Sequence, residues 1–349
     1  MTHTFTEALA CIRSSIEMGD HTPTLLLGQP GTGKTSLFLK ISDDFGVPRH
    51  LAESVIFRPS LRDPVDLMGV PFIDEQEEGK VTRWALNELI IKVNRIAETY
   101  GGCMFVLDEL AQAPVMMQNA CAGLMHDRYI GDNVLDDRVF VGATGNRAED
   151  KAGSGRILTQ LGNRLEVLEL EVDLPAWSQY MIEMGYDPLL VAYINYRPDA
   201  LQDFVPSRIT NPTMRSWEMA AKVSTSLPAS VYRAKISGRV GEGRAAEYIA
   251  FRQVYDELPD IQSILSAPMT ALIPPDQGAR YASVALLVKN ISQVNWPALC
   301  QYIGRFATDV MSPEMEVAFF KDVSVRLPEY VQTREFGAWA SGRGQEVLL

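Results

Sequence analysis

The stretch Gly28-Gln29-Pro30-Gly31-Thr32-Gly33-Lys34-Thr35 decides how the first half of this chain folds. It follows the apolar run Thr24-Leu25-Leu26-Leu27 and precedes Ser36-Leu37-Phe38-Leu39-Lys40-Ile41, which reads as a helix. Strand, glycine-rich turn and helix together form the context of a phosphate-binding loop. Gly31 and Gly33 let the backbone curl so that successive N–H groups converge on one anion. In such a loop Lys34 reaches the β- and γ-phosphates, and the Thr35 hydroxyl ligates Mg²⁺. The residues from Gly28 through Ser36 are therefore the expected binding set for a nucleoside triphosphate.

Composition narrows the field. A chain of 349 residues is long enough for two or three packed subdomains. Its 46% hydrophobic and 22% charged residues are ordinary for a soluble globular protein. A net charge of −12 argues against a general nucleic-acid binder, whose footprint is a basic surface. The cysteines at 11, 103, 121 and 300 are widely spaced and lack metal-type pairing. Cys103 and Cys121 lie in apolar stretches and read as buried free thiols, which fits a reduced, cytoplasmic setting. No apolar run approaches the roughly 20 residues of a membrane span. Met1–Ser15 lacks the basic-then-apolar order of a signal peptide.

The first half alternates strands with helical stretches. Thr24–Leu27, Ser54–Arg58, Cys103–Leu107, Val139–Ala143 and Val167–Glu171 read as short buried strands. Such alternation predicts an α/β fold, a parallel sheet with helices on both faces. Burial on both faces also explains why Met104-Phe105-Val106-Leu107 is continuously apolar instead of alternating. After Asp173-Leu174-Pro175 the pattern becomes helical, punctuated by prolines at 188, 198, 206, 212, 228 and 259. The expected layout is a nucleotide-binding core over 1–174, a helical lid over 175–265 and a helical extension over 266–349.

A second element extends the chemistry beyond binding. Cys103–Leu107 ends in Asp108 and Glu109. At the carboxyl end of a strand beside the loop, Asp108 holds the Mg²⁺ shell and Glu109 orients and deprotonates the attacking water. A third strand ends in Thr144-Gly145-Asn146. An amide there touches both the γ-phosphate and the water, although Gly145-Asn146 taken alone is also a plain turn. Two arginines follow. Arg164 precedes the last strand, and Arg215 sits in a helix start with Asn211 as its cap and Pro212 at its first position. A cation in a helix's first turn opposes the macrodipole, which suggests an anion nearby.

Taken together, these segments resemble the AAA+ ATPases, specifically the MoxR-like branch. The resemblance rests on Gly28–Thr35, Phe105–Pro114, Ala143–Asn146, Gly162–Leu165 and Pro212–Trp217, and it covers residues 1 to about 265. Between the second strand and the acidic one, Phe72–Trp84 reads as a hairpin with an acidic tip over Asp74–Glu78. MoxR-like proteins carry such an insert. The resemblance makes Gly28 to Thr35 the Walker A loop, Asp108 and Glu109 the Walker B pair, and Asn146 sensor 1. It makes Arg164 the arginine finger that enters a neighbour's site, with Arg156 as the alternative, and Arg215 sensor 2. It further implies ATP with Mg²⁺ and a homo-oligomeric ring, a hexamer. Protein remodelling is the implied activity, with a von Willebrand factor A-type domain among the partners of such proteins. No guanine-specific signature is apparent, and the adenine preference comes from the resemblance. The competing readings are a nucleic-acid-dependent motor on the same core and a nucleotide-gated scaffold with vestigial hydrolysis. Intact Lys34, Asp108 and Glu109 speak against the scaffold, and the acidic balance speaks against the motor. The hairpin is a candidate client contact, with a solvated turn as the sober alternative. Met116, Met117 and His126 lie on a helix starting at Pro114, where core packing or a pore-facing loop is expected over metal binding.

Overall fold

Strands apolar at successive positions need cover on both faces, and the parallel sheet of the first unit supplies it. The computed structural model describes residues 2–76, 79–147, 150 and 157–345. Its strands are β1 (Thr2–His3), β2 (Thr24–Leu27), β3 (Ile56–Phe57), β4 (Pro71–Gln76), β5 (Gly79–Trp84), β6 (Cys103–Leu107), β7 (Tyr129–Ile130), β8 (Asn133–Val134), β9 (Val139–Gly145) and β10 (Glu166–Leu170). Six of them form one sheet in the order β1-β10-β2-β9-β6-β3, and every neighbouring pair is parallel. β4 with β5 and β7 with β8 make two separate antiparallel ribbons. The helices of this unit are α1 (Phe5–Glu17), α2 (Lys34–Asp44), α3 (Arg49–Ser54), α4 (Val65–Met68), α5 (Glu88–Tyr100), α6 (Val115–Asp127) and α7 (Thr159–Gly162).

Alternation along the strands divides the core in two. Leu25, Phe105, Leu107, Val141 and Ala143 pack with Val93 of α5 and Met117 and Cys121 of α6. Leu26, Met104, Val106, Leu168 and Leu170 face the other way, onto Ala8 and Ile12 of α1 and Leu37, Phe38 and Ile41 of α2. Successive strand residues point to opposite faces, so a continuous apolar run feeds both layers. The expected parallel sheet covered by helices, with an inserted hairpin and followed by a helical region, is the architecture found. Cys103 and Cys121 are buried free thiols, and burial pushes both up to about 12.

Register places the functional ends. Leu27 pairs with Gly145, Ala143 with Leu107, and Leu107 with Phe57. β2 and β9 therefore run two residues past the carboxyl ends of β6 and β3, and whatever follows each of the four strands emerges at one edge. At the opposite edge, Glu166 pairs with Thr24 at the start of both strands.

The chain divides into two compact units, Met1–Asp173 and Leu174–Leu349. Among its described residues the second is entirely helical. It contains α8 (Leu174–Glu183), α9 (Pro188–Tyr196), α10 (Met214–Ala221), α11 (Ala229–Val240), α12 (Glu242–Asp256), α13 (Ile261–Ser266), α14 (Gln277–Lys289), α15 (Trp296–Asp309), α16 (Pro313–Arg326) and α17 (Arg334–Ala340). Tyr193, Trp217, Tyr248 and Phe251 form one aromatic cluster. Trp296, Phe319, Phe320, Phe336 and Trp339 belong to another. α14 packs on both α9 and α12, so the stretch beyond 265 shares its packing with the helices before it.

Three local expectations are corrected. The strand expected over Ser54–Arg58 is only Ile56–Phe57, because Ser54 ends α3 with its hydroxyl on the Leu51 carbonyl at 2.6 Å. The helix expected to begin at Pro212 begins at Met214, where Thr213 and Ser216 form a reciprocal capping box. Asn211 instead accepts from the Val205 amide at 2.8 Å and closes the preceding loop. The third concerns the hairpin's acidic tip. Asp74 and Glu75 lie within β4, where cross-strand contacts pair them with Arg83 at 3.1 Å and Lys80 at 2.8 Å. Residues 77–78 fall outside the described set.

One residue near the start of β2 is expected to give the first unit a pH-dependent stability. His21 stacks on Phe140 at 5.0 Å, and its Nδ1 accepts from Arg128 Nη1 at 3.2 Å. Burial first, and then the Arg128 cation, lowers its pKa, against the opposing pull of Asp137 and Asp20. The folded protein therefore binds a proton at His21 less readily than the unfolded chain does. Stability from this group is full above the unfolded value of about 6.5 and falls as pH drops below it. His21→Asn should flatten the loss of stability between about pH 6.5 and 5 in denaturant titrations. An unchanged slope refutes the assignment.

Candidate active site

The turn after β2 gives α2 an unusual beginning. Gly31 and Gly33 sit at φ 83° and 86°, a left-handed conformation that residues with a side chain adopt at a cost. Gly33 is the N-cap of α2 and places no side chain over the helix's first amides. The first turn of α2 also carries no acidic residue. Its N–H groups and the positive end of its dipole thus form a site for an anion, and the donor set fits a phosphate.

Lys34 is buried beneath this turn. Its Nζ donates to the carbonyls of Gly28 and Gln29 at 2.8 Å each and to Asn146 Oδ1 at 3.2 Å. The Thr32 hydroxyl donates to the Gln29 carbonyl at 2.9 Å and steadies the turn. Ser36, in the first turn of α2, is exposed. Asn146 therefore meets the loop across the β2–β9 register, although the two lie 112 residues apart.

Asp108 is the hub of the cluster and is buried. Its Oδ1 accepts from the Thr35 hydroxyl and from the Thr144 hydroxyl, both at 2.8 Å. Its Oδ2 lies 3.3 Å from Arg58 Nε. Because Thr35 gives its proton to Asp108, its lone pairs are left for a cation. That polarity suits Mg²⁺, a hard cation commonly held by a few oxygens together with substrate phosphates. Among the described residues no cluster of three His, Cys, Asp or Glu side chains could cage a metal alone.

Glu109 leaves the sheet in a left-handed conformation, φ 61° and ψ 35°, uncommon for a residue with a side chain. Its backbone N–H donates to the Thr144 hydroxyl at 2.9 Å. Its side chain is exposed and makes no ion pair with any described residue. Strain of this kind concentrates where a side chain must be aimed.

The expected residues fall into three groups. Gly28 to Thr35, Asp108, Glu109 and Asn146 come together at the carboxyl edge of the sheet. Arg164 does not join them. It is exposed, forms no ion pair with a described residue, and lies just before β10, at the amino edge. Three strand residues at about 3.3 Å each separate that edge from the loop, so the gap is about 10 Å or more. Arg156 lies outside the described residues. Arg215 belongs to the second unit, where it is exposed and unpaired with any described residue; Glu218 instead pairs with Lys222 at 2.8 Å.

Two members of the cluster were missed from sequence, Thr144 and Arg58. Thr144 lies near the end of β9, two residues before Asn146. That spacing was its one available signal. Arg58 simply follows β3, and nothing local marks it.

No family model and no curated protein matches the chain. Solved structures similar to it include NtrX from Brucella abortus in complex with ADP, at 15% identity and TM-score 0.38, covering 88% of this chain and 68% of that one. PCH-2 from C. elegans is similar at 15% identity and TM-score 0.34, covering 71% of this chain and 69% of that one. Likeness at this level carries no weight on function.

Proposed function

We propose that this chain is a Mg²⁺-dependent AAA+ ATPase of the MoxR-like kind, working in the cytoplasm as a head-to-tail ring that remodels a protein partner. The observation that supports this reading is the single sheet edge at which Lys34, Thr35, Asp108, Glu109 and Asn146 converge. Lys34 and the loop amides hold the β- and γ-phosphates. Thr35, oriented by Asp108, would hold Mg²⁺, which when bound neutralises charge between the β- and γ-phosphoryl oxygens. Glu109 takes the proton of the attacking water, and Asn146 orients that water against the phosphoryl group. Arg164 lies too far along the sheet to serve its own loop. It therefore acts on the next protomer, and Arg215 acts as sensor 2. An interface of that head-to-tail kind closes into a ring, of which the hexamer is the form the resemblance implies.

The exposed hairpin Pro71–Trp84, with Phe72 and Ile73 on its surface, is the proposed contact with the partner. A von Willebrand factor A-type domain is one candidate for that partner. The test is phosphate release from ATP with Mg²⁺, lost on chelation. Lys34→Ala should weaken ATP binding by about 10- to 100-fold, since the lost contact is a charge-assisted one worth roughly 1.5–3 kcal/mol. Wild-type affinity in that variant, or no phosphate release by the wild type, rejects the reading.

A further inference from the structure

We infer that Thr144 is a positioning residue that aims Glu109, an assignment that rests on the hydrolytic reading above. A hydroxyl has one proton and two lone pairs. Here a lone pair receives the Glu109 N–H at 2.9 Å, which leaves the proton for Asp108 Oδ1 at 2.8 Å. One buried side chain thus ties the carboxylate that orients Thr35 to the backbone of the neighbouring base. The tie falls where it is needed. The Asp108 amide still bonds the Phe57 carbonyl at 2.7 Å as part of the sheet. The very next residue turns to φ 61°. The Thr144 hydroxyl accepts the first amide beyond the sheet and so holds the left-handed turn that sets where the Glu109 carboxylate points. Thr144 makes no described hydrogen bond to the glycine loop or to Lys34, and Asp108 keeps its bond from Thr35 without it, so the larger effect of Thr144 falls on the chemical step.

Thr144→Val keeps the shape and removes the hydroxyl; Thr144→Ser keeps the hydroxyl and removes a methyl group. Thr144→Val should lower kcat by about 10- to 100-fold, the effect of disturbed aim at a reacting group, with the nucleotide Kd within about twofold of wild type. Thr144→Ser should restore most of the rate. A readout independent of turnover is amide exchange in the nucleotide-free protein. The Glu109 N–H should exchange about tenfold faster in Thr144→Val and at the wild-type rate in Thr144→Ser, because only the valine removes its acceptor. Adding Thr144→Val to Glu109→Gln should cost no further activity, since the first acts through the second. Wild-type kcat or unchanged Glu109 exchange in Thr144→Val overturns the assignment. So does a serine variant as impaired as the valine one, which would place the effect in the methyl group's packing. Absence of turnover in the wild type overturns the hydrolytic reading and this assignment together, whereas the other failures leave the hydrolytic reading standing.

Discussion

Arg164→Ala protein is expected to bind ATP as tightly as the wild type and to hydrolyse it about 10³- to 10⁵-fold more slowly, the range for an arginine that stabilises phosphoryl-transfer charge from outside the pocket. The parallel register explains both halves of the result. Glu166 is level with Thr24, so Arg164 sits at the amino edge of the sheet while the phosphate loop sits at the carboxyl edge. Its exposed side chain, unpaired with any described residue, is free to meet another protomer. Arg164→Ala mixed with Lys34→Ala should then recover turnover. In such a mixture, a protomer with an intact loop can stand beside one with an intact arginine. Wild-type turnover in Arg164→Ala, or no recovery on mixing, would move the finger elsewhere, and Arg156→Ala is the variant to measure alongside it.

Glu109→Gln should lower turnover by about 10²- to 10⁴-fold, the usual contribution of a positioned general base. The amide has nearly the carboxylate's shape but cannot take the water's proton. The binding contacts of Lys34 and Thr35 are untouched, so the variant should elute from gel filtration carrying ATP and not ADP. Rapid hydrolysis by this variant assigns the base to another residue. The trapped form is also the one with which to identify the partner. A protein retained on it in an ATP-dependent manner supports remodelling, whereas stimulation of wild-type turnover by DNA favours the motor reading.

Much of the first unit was legible in the chain because its signals are local. An apolar run, a glycine turn and a helix within 24–41 need no distant partner to be understood. Continuous apolarity in Cys103–Leu107 likewise announces burial on both faces. Legibility failed at edges and caps. The edge strand β3 is two residues long, and its flanking Ser54 satisfies a helix carbonyl instead of a ladder. At residue 213, threonine with Ser216 outcompetes Asn211 as the cap because Asn211 is held by Val205 across the loop. Both errors arise where a side-chain hydrogen bond to backbone within a few residues decides between two local solutions.

The residue types that would touch a triphosphate were readable from the one-dimensional order, because phosphate binding by a turn and a helix start depends on neighbours in the chain. How those residues meet is a different matter. Parallel strands are joined by long crossovers and not by short turns, so no local signal sets their register. Only the pairing of Leu27 with Gly145 and of Ala143 with Leu107 brings Asn146 to Lys34 and Thr144 to Asp108 and Glu109. The pairing of Glu166 with Thr24 leaves Arg164 at the opposite edge. The loop was legible because its chemistry is written in eight consecutive residues. The link between metal side and base was not, because it exists only when three strands lie side by side in one register.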